Sequence, residues 1–507
     1  MKSDIIIRNA LLIDGTDATP FEADVAISNG RIETVGTTGD ASARQEIDAA
    51  GKVAAPGFID IHTHADAGLL SHPEASNYLS QGVTSVIGGN CGGGPLPVSG
   101  FVERVDASDV GINIGVFVGH NSVRRQAMGS EDRAPSQDEL GTMREFVDAA
   151  MQDGAFGLSS GLKYIPGAYA HTDEVVELAK AAATHGGVYM THMRDEGLEL
   201  MESIEEAISI SREGGLPLQI SHFKAIGKSM WGRAGDMLSK VDNARGSGQD
   251  VTFDQYPYTA SSTGLNVLFP SWALEGGRKA CLDRWQDPKI RPKIRKHIEF
   301  SLMEDRGGGD PANVVVVTSH YDPALNGLDL GSISSKLLGD STIETVTEVV
   351  VRLAEAGHHP CIFHCLHEDD VRQLMQHPAG LVASDSHILS PDETHPHPRN
   401  MGTFPRVLGH YVRNCGVLSL SEAIRKMTGA VASRLGLEDR GLVREGHWAD
   451  LVVLDPDTVA DRATWDDPLQ PAAGIHHVLV NGRLALSNDE PTGTLAGRFL
   501  RRPTSTG

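Results

Sequence analysis

The chain has 507 residues, of which 40% are hydrophobic and 22% charged, and a formal net charge of −23. That balance is ordinary for a globular protein and excludes wholesale disorder, while acidity spread along the chain argues against nucleic acid or an anionic membrane as partner. At about 150 residues per domain, the length predicts one large domain with a satellite, or two to three domains.

The start, MKSDIIIRNALLIDG, carries one Lys before a short apolar run and lacks the longer apolar stretch and cleavage site of a signal peptide. No run of about 18 apolar residues offers a membrane span. Five cysteines, at 91, 281, 361, 365 and 415, are odd in number and scattered, unlike a disulfide framework. A reducing cytoplasm is the expected compartment.

Residues 1–54 hold short β-like runs with tight turns, among them VAISNGRIETVG, where Asn29-Gly30 is a hairpin dipeptide. The same texture returns in residues 440–507, with DLVVLDP, HVLVNGRLAL and Asn481-Gly482. The two ends are predicted to build one small β-sandwich domain. Between them, residues 55–439 alternate short apolar strands with amphipathic helices. Val175, Leu178, Ala179 and Ala182 mark one helix, with Thr172 as its expected cap and Gly186-Gly187 as its stop. Ile204, Ala207, Ile208 and Ser211 mark the next, before the strand LQISH, and a helix over about 232–245 precedes VTFDQYPY. Further on, Ser341 and Glu344 have capping-box spacing before Val346, Val349, Val350 and Leu353. Roughly eight such units predict an α/β fold, a closed (β/α)8 TIM-like barrel. An open doubly wound sheet is the competitor, but no Gly-x-Gly-x-x-Gly follows an early strand. Residues 264–340, rich in Gly and Asp, interrupt the rhythm and predict an insertion or lid beside the active site.

Barrel enzymes place catalytic groups at the carboxyl ends of strands. In GFIDIHTHAD, strand alternation puts His62 and His64 on one face with Asp60. Cys91 ends the second strand in VTSVIGGNCGGG, where flanking glycines allow close approach. His192 ends a later strand in VYMTHMRDE, His222 the next in LQISHFK, and Asp385 the last in LVASDSH. Imidazoles, a thiolate and a carboxylate together suit zinc, which keeps an open position when catalytic. Any one of the six would be a weak signal, but six at successive strand ends point to a metal centre. HHPCIFHCLHEDD is a different case: it reads as one strand, whose side chains alternate between faces and cannot all converge, and no metal is expected there.

Over nearly its whole length the chain resembles the D-aminoacylases, the N-acyl-D-amino-acid deacylases of the amidohydrolase superfamily. The resemblance runs through GFIDIHTHAD, GVTSVIGGNCG, VFVGHNSVR, GGVYMTHMRDEG, ISHFKAIGK, FDQYPYTASST, HPHPRNMGTFPRVLGHYVR, KMTGAVASRLGL and GHWADLVVLDP. It implies that Cys91, His192 and His222 hold a tightly bound Zn2+, while His62, His64 and Asp385 surround a second, weaker position that Cys91 bridges. Many relatives bridge two metals with a carboxylated lysine on the fourth strand, and Lys163, in GLSSGLKYIPG, stands where an apolar residue is common in deacylases. Zinc would lower the pKa of a bound water to about 7 and polarise the amide. Asp385 would act as general base then acid, and Tyr164 would donate to the oxyanion. The resemblance assigns Lys224, Tyr256, Ser262 and Arg399 to the substrate α-carboxylate. His120 also matches the family, without a role.

After Ser262, the run with Leu265, Val267, Leu268, Phe269 and Trp272 holds no cation until Arg278 and suggests an apolar side-chain pocket. The expected activity is zinc-dependent hydrolysis of a small-molecule N-acyl-D-amino acid, with hydrophobic side chains. The alternatives are a cyclic amidase of the hydantoinase or dihydroorotase kind, which Lys163 keeps open, and a non-catalytic scaffold of the same fold.

Overall fold

Eight parallel strands, short and apolar because both their faces are covered, ring the centre of the protein. In chain order they are Phe58–Asp60, Val83–Gly88, Asn113–Val116 running on into Val118–Gly119, Gly157–Gly161, Val188–His192, Leu218–Ile220, Val251–Gln255 and Gly380–Val382. Each pairs in parallel with the next. The ring closes where Thr63 bridges Ser386 and the Asp385 amide donates to the His62 carbonyl at 2.9 Å. The fold is therefore a closed (β/α)8 barrel, seen here in a computed structural model that describes residues 2–503.

The outer helices bury the residues that periodicity singles out. Thr172–Ala183 turns Val175, Leu178, Ala179 and Ala182 inward, and Leu200–Gly214 does the same with Ile204, Ala207 and Ile208. Capping differs from expectation in two places. Thr172 does not cap its helix; its hydroxyl donates to Glu206 at 2.8 Å, tying two neighbouring helices together. The helix Ile343–Ala356 is capped by Thr342, which accepts the Thr345 N–H, so Ser341 lies outside the cap.

That helix also belongs elsewhere. After the seventh strand the chain leaves the barrel at about residue 261 and returns at about 366, just before the helix Glu368–Gln376. The excursion builds a lobe around a three-stranded antiparallel sheet of Ser261–Gly264, Pro360–Phe363 and Val314–Val316. Its own core includes Leu268, Ile294, Ile298, Val346, Val350 and Phe363, all fully buried. It thus extends beyond the Gly- and Asp-rich stretch at 264–340. The strand Pro360–Phe363 spreads the His- and Cys-rich segment as alternation demands: Cys361 is buried, His359 bonds the Leu353 carbonyl at 2.6 Å, and His364 packs edge-on against Trp465.

The two ends of the chain share one nine-stranded sheet beside the barrel. Val53–Pro56 from one end runs antiparallel to Leu451–Leu454 from the other. The two Asn-Gly turns have both residues at positive φ, 53° and 78° for Asn29 and Gly30, 49° and 75° for Asn481 and Gly482, as a tight hairpin requires. They also pack on each other: a Cβ on Gly482 would lie 2.4 Å from the Gly30 Cα, so neither glycine can carry a side chain.

Sheet and barrel are joined by a closed polar network. Asp450 pairs with Arg440 and accepts the Asn481 amide at 2.6 Å and Asn113 Nδ2 at 3.2 Å, while Arg440 also donates to Asn481 Oδ1 at 2.8 Å. All four residues are buried. Removing one partner of such a pair strands a buried charge, so Asp450→Ala is expected to cost about 3–5 kcal/mol of unfolding free energy, measured by chemical denaturation.

Candidate metal centre

The six donors expected from the sequence meet at the carboxyl end of the barrel. Among the described residues two groups have ligand atoms within 4.8 Å of one another: His62, His64, Cys91 and Asp385, and Cys91, His192 and His222. Cys91 belongs to both. Its sulfur lies 3.3 Å from His62 Nε2 and 3.6 Å from His222 Nε2, and Asp385 Oδ1 lies 3.4 Å from His62 Nε2 and 3.2 Å from His64 Nε2.

Three donors owe their direction to unusual backbone. Cys91, His222 and Asp385 have φ of 52°, 34° and 51°, a left-handed region that non-glycine residues seldom adopt and that costs of order 1–3 kcal/mol each. The turn throws each side chain off its strand end and across the barrel mouth. Gly92 permits this for Cys91: a Cβ there would sit 2.2 Å from Asn121 Oδ1 and 2.6 Å from the Gly161 amide.

The electrostatics suit a cation. Burial alone would raise the Cys91 thiol, but His62, His192 and His222 pull it well below its usual value, so the sulfur is thiolate, the ligating form. Burial pushes His192 down to about 4, leaving a neutral imidazole, and both of its ring nitrogens lack a hydrogen-bond partner although the residue is 3% exposed. An orphaned buried imidazole beside a thiolate is what a metal ligand looks like without its ion. Asp385 is held ionised despite burial, chiefly by Arg399, whose Nη1 donates to Asp385 Oδ2 at 2.7 Å.

Behind the donors stand carboxylates that orient them. Asp254 accepts from His62 Nδ1 at 3.0 Å, from the His222 amide at 2.7 Å and, through its other oxygen, from Gln219 at 2.9 Å. Glu196 faces His222 Nδ1 at 3.0 Å and His192 Nε2 at 3.6 Å. Neither carboxylate is singled out by sequence reasoning. Asp254 sits mid-motif in FDQYPY and Glu196 in THMRDEG, and a polar residue inside an apolar strand was the available signal for Asp254.

The remaining expected residues fall as follows. The Tyr164 ring is 4.6 Å from that of His192, and its hydroxyl meets Thr263 Oγ1 at 3.2 Å. Tyr256 is buried with an unpaired hydroxyl, and the Arg399 guanidinium lies 4.9 Å from its ring. Ser262 is half-buried on the first strand of the inserted lobe. Lys224 is turned inward: it donates to Glu196 and to the His222 carbonyl at 3.0 Å and lies 2.8 Å from His222 Nδ1, so it braces that residue from behind. Lys163 pairs with Asp195 at 3.4 Å. His120 is fully buried against Glu174, which also pairs with Arg124, tying the third strand's end to a helix. Of the apolar run, Leu265, Leu268 and Phe269 pack into the lobe's core, while Trp272 is exposed.

The amidohydrolase family profile matches residues 45–267 and 333–485. A D-aminoacylase of Alcaligenes xylosoxydans xylosoxydans is 36% identical over 522 residues, covering 98% of each chain. The structure superposes on N-acyl-D-glutamate deacylase from Bordetella bronchiseptica, complexed with zinc and a phosphonate mimic of the tetrahedral intermediate, with TM-score 0.85, 33% identity and coverage of 99% and 100%. It superposes equally on a D-aminoacylase described for its binuclear metal centre, with TM-score 0.84, 37% identity and the same coverage.

Two expectations follow from the geometry. Cys91→Ala removes the shared donor and should abolish zinc retention after dialysis, whereas His64→Ala should keep the ion held by Cys91, His192 and His222; metal analysis of both proteins checks this. Asp254→Asn, which loosens two ligands at once, should weaken zinc affinity by about 10–100-fold in a chelator competition.

Proposed function

The chain belongs to the amidohydrolase family, and from that footing we propose that it is a zinc-dependent deacylase of N-acyl-D-amino acids, releasing a carboxylate and the free D-amino acid. The observation that carries this reading is the Cys91 sulfur shared between two donor groups at the barrel mouth, in a chain similar over its full length to deacylases of this substrate class.

Cys91, His192 and His222 would hold the tight ion, and His62, His64 and Asp385 would frame the second position. Bound zinc supplies Lewis acidity, polarising the amide carbonyl and making a water nucleophilic near neutral pH. Asp385, kept ionised beside Arg399, accepts the proton of the attacking water and delivers it to the leaving nitrogen as the C–N bond breaks. Tyr164, against His192, offers its hydroxyl to the developing oxyanion. The α-carboxylate is held by the unpaired Arg399 Nε and Tyr256 hydroxyl, with Ser262 at the rim and Lys224 adding charge from behind.

The cyclic-amidase alternative leans on Lys163, which here faces the Asp195 carboxylate at 3.4 Å. Five free cysteines fit a reducing compartment, the cytoplasm, and among the described residues no helix is long and apolar enough to cross a membrane.

Asp385→Ala should retain the tightly held zinc by metal analysis yet lower kcat by about 100-fold or more; an undiminished rate would remove Asp385 from the mechanism. In a rate panel on the metal-analysed protein, N-acetyl-D-amino acids should turn over and their L enantiomers should not.

A further inference from the structure

Two arginines near the metal donors have unmatched N–H groups. One is Arg399, already placed with Tyr256 on the Asp385 side. The other is Arg306, which comes from the inserted lobe. The turn that carries it is seated on the loops after the fifth and sixth strands: a Cβ on Gly197 would lie 2.4 Å from Asp305 Oδ1, and one on Gly227 would lie 3.0 Å from the Asp305 carbonyl. Arg306 is 2% exposed, and neither its Nε nor its Nη2 has a hydrogen-bond partner.

The nearest carboxylate oxygen is Glu196 Oε2, 3.7 Å away and beyond hydrogen-bond reach. Glu196 is itself committed, through Oε1, to Lys224 and His222. One carboxylate thus faces two buried cations. The neighbouring Asp305 also acts on Arg306, but its Oδ1 is itself without a hydrogen-bond partner and burial holds its carboxyl above the usual range. A buried guanidinium without hydrogen bonds is costly, and its planar fork matches a carboxylate in two parallel bonds.

Unmatched guanidinium donors thus face the surroundings of the metal ligands in two places, Arg399 beside Asp385 and Arg306 beside Glu196. An N-acyl-amino acid with a neutral side chain carries one carboxylate and fills one of them. We infer that Arg306 is a specificity-determining residue that binds a second carboxylate on the substrate side chain, so that the preferred substrates are N-acyl derivatives of acidic D-amino acids. This deepens the deacylase reading and rests on it. It departs from the hydrophobic preference suggested by the run after Ser262, whose Leu265, Leu268 and Phe269 are spent on the lobe's core.

The experiment is a kcat/KM panel on the zinc-loaded protein with the N-acetyl derivatives of D-Glu, D-Asp, D-Gln, D-Asn and D-Met, repeated for Arg306→Met and Arg306→Lys. Wild type should prefer D-Glu over its isostere D-Gln on the order of 100-fold, the discrimination expected when a buried charged fork is left unpaired by the wrong substrate. In Arg306→Met that ratio should collapse towards one, with the loss on D-Glu falling mainly in KM. Arg306→Lys keeps a positive charge facing Glu196 but loses the fork, and should fold and still lose most of the ratio, so the result does not hang on the stability of the methionine variant. A wild-type ratio near one overturns the inference. So does a ratio untouched in both variants, which would make Arg306 a latch for the lobe. Failure of the deacylase reading is distinct: wild type would then hydrolyse none of the five compounds.

Discussion

A single half-buried sulfur sets the terms for this protein. Cys91 is drawn towards the thiolate because imidazoles from three other strand ends surround it, and those imidazoles can crowd together only if something negative sits among them. The requirement is mutual, so the strand ends must arrive together. A closed barrel meets that demand well, because its eight parallel strands deliver their carboxyl ends to one rim. The left-handed backbone of Cys91, His222 and Asp385 is strain that a loosely held loop would relax. Here the parallel pairing on either side of each strand, and the Asp385 amide bonded to His62, hold it in place.

Around that centre, charge is arranged in layers. The donors are backed by Asp254 and Glu196, which fix ring orientation and raise ligand basicity, and these in turn are backed by Gln219 and Lys224. Because every partner is buried, each link is strong and each unmatched group is costly. Most groups are matched within the chain. Among the exceptions, His192, Tyr256, Arg399 and Arg306 lie around the metal donors.

The inserted lobe has a separate core and its own antiparallel sheet, so it can vary without disturbing the barrel. It grows from the loop after the seventh strand and contributes Thr263, against Tyr164, and Arg306, facing Glu196, to the surroundings of the metal donors. Chemistry and selection are thus carried by different parts of the chain, the rim of the barrel for the first and the lobe for the second.

The sequence by itself determined the barrel and the six donors. Each donor follows a short apolar run, and a strand end is a local event that composition and alternation reveal. It determined the two Asn-Gly hairpins for the same reason, since a turn needing two positive φ angles leaves few choices of residue. Tertiary structure alone decided the rest, because partners distant in the chain leave no local mark. IFHC has the composition of a barrel strand, and only its pairing with Ser261–Gly264 assigns it to the lobe. Lys224 and Lys163 are unremarkable cations until Glu196 and Asp195 are found beside them. Arg306 stands between the helix Arg291–Met303 and three successive glycines, and its importance lies in which neighbours it lacks, a quantity that exists only once the chain has folded.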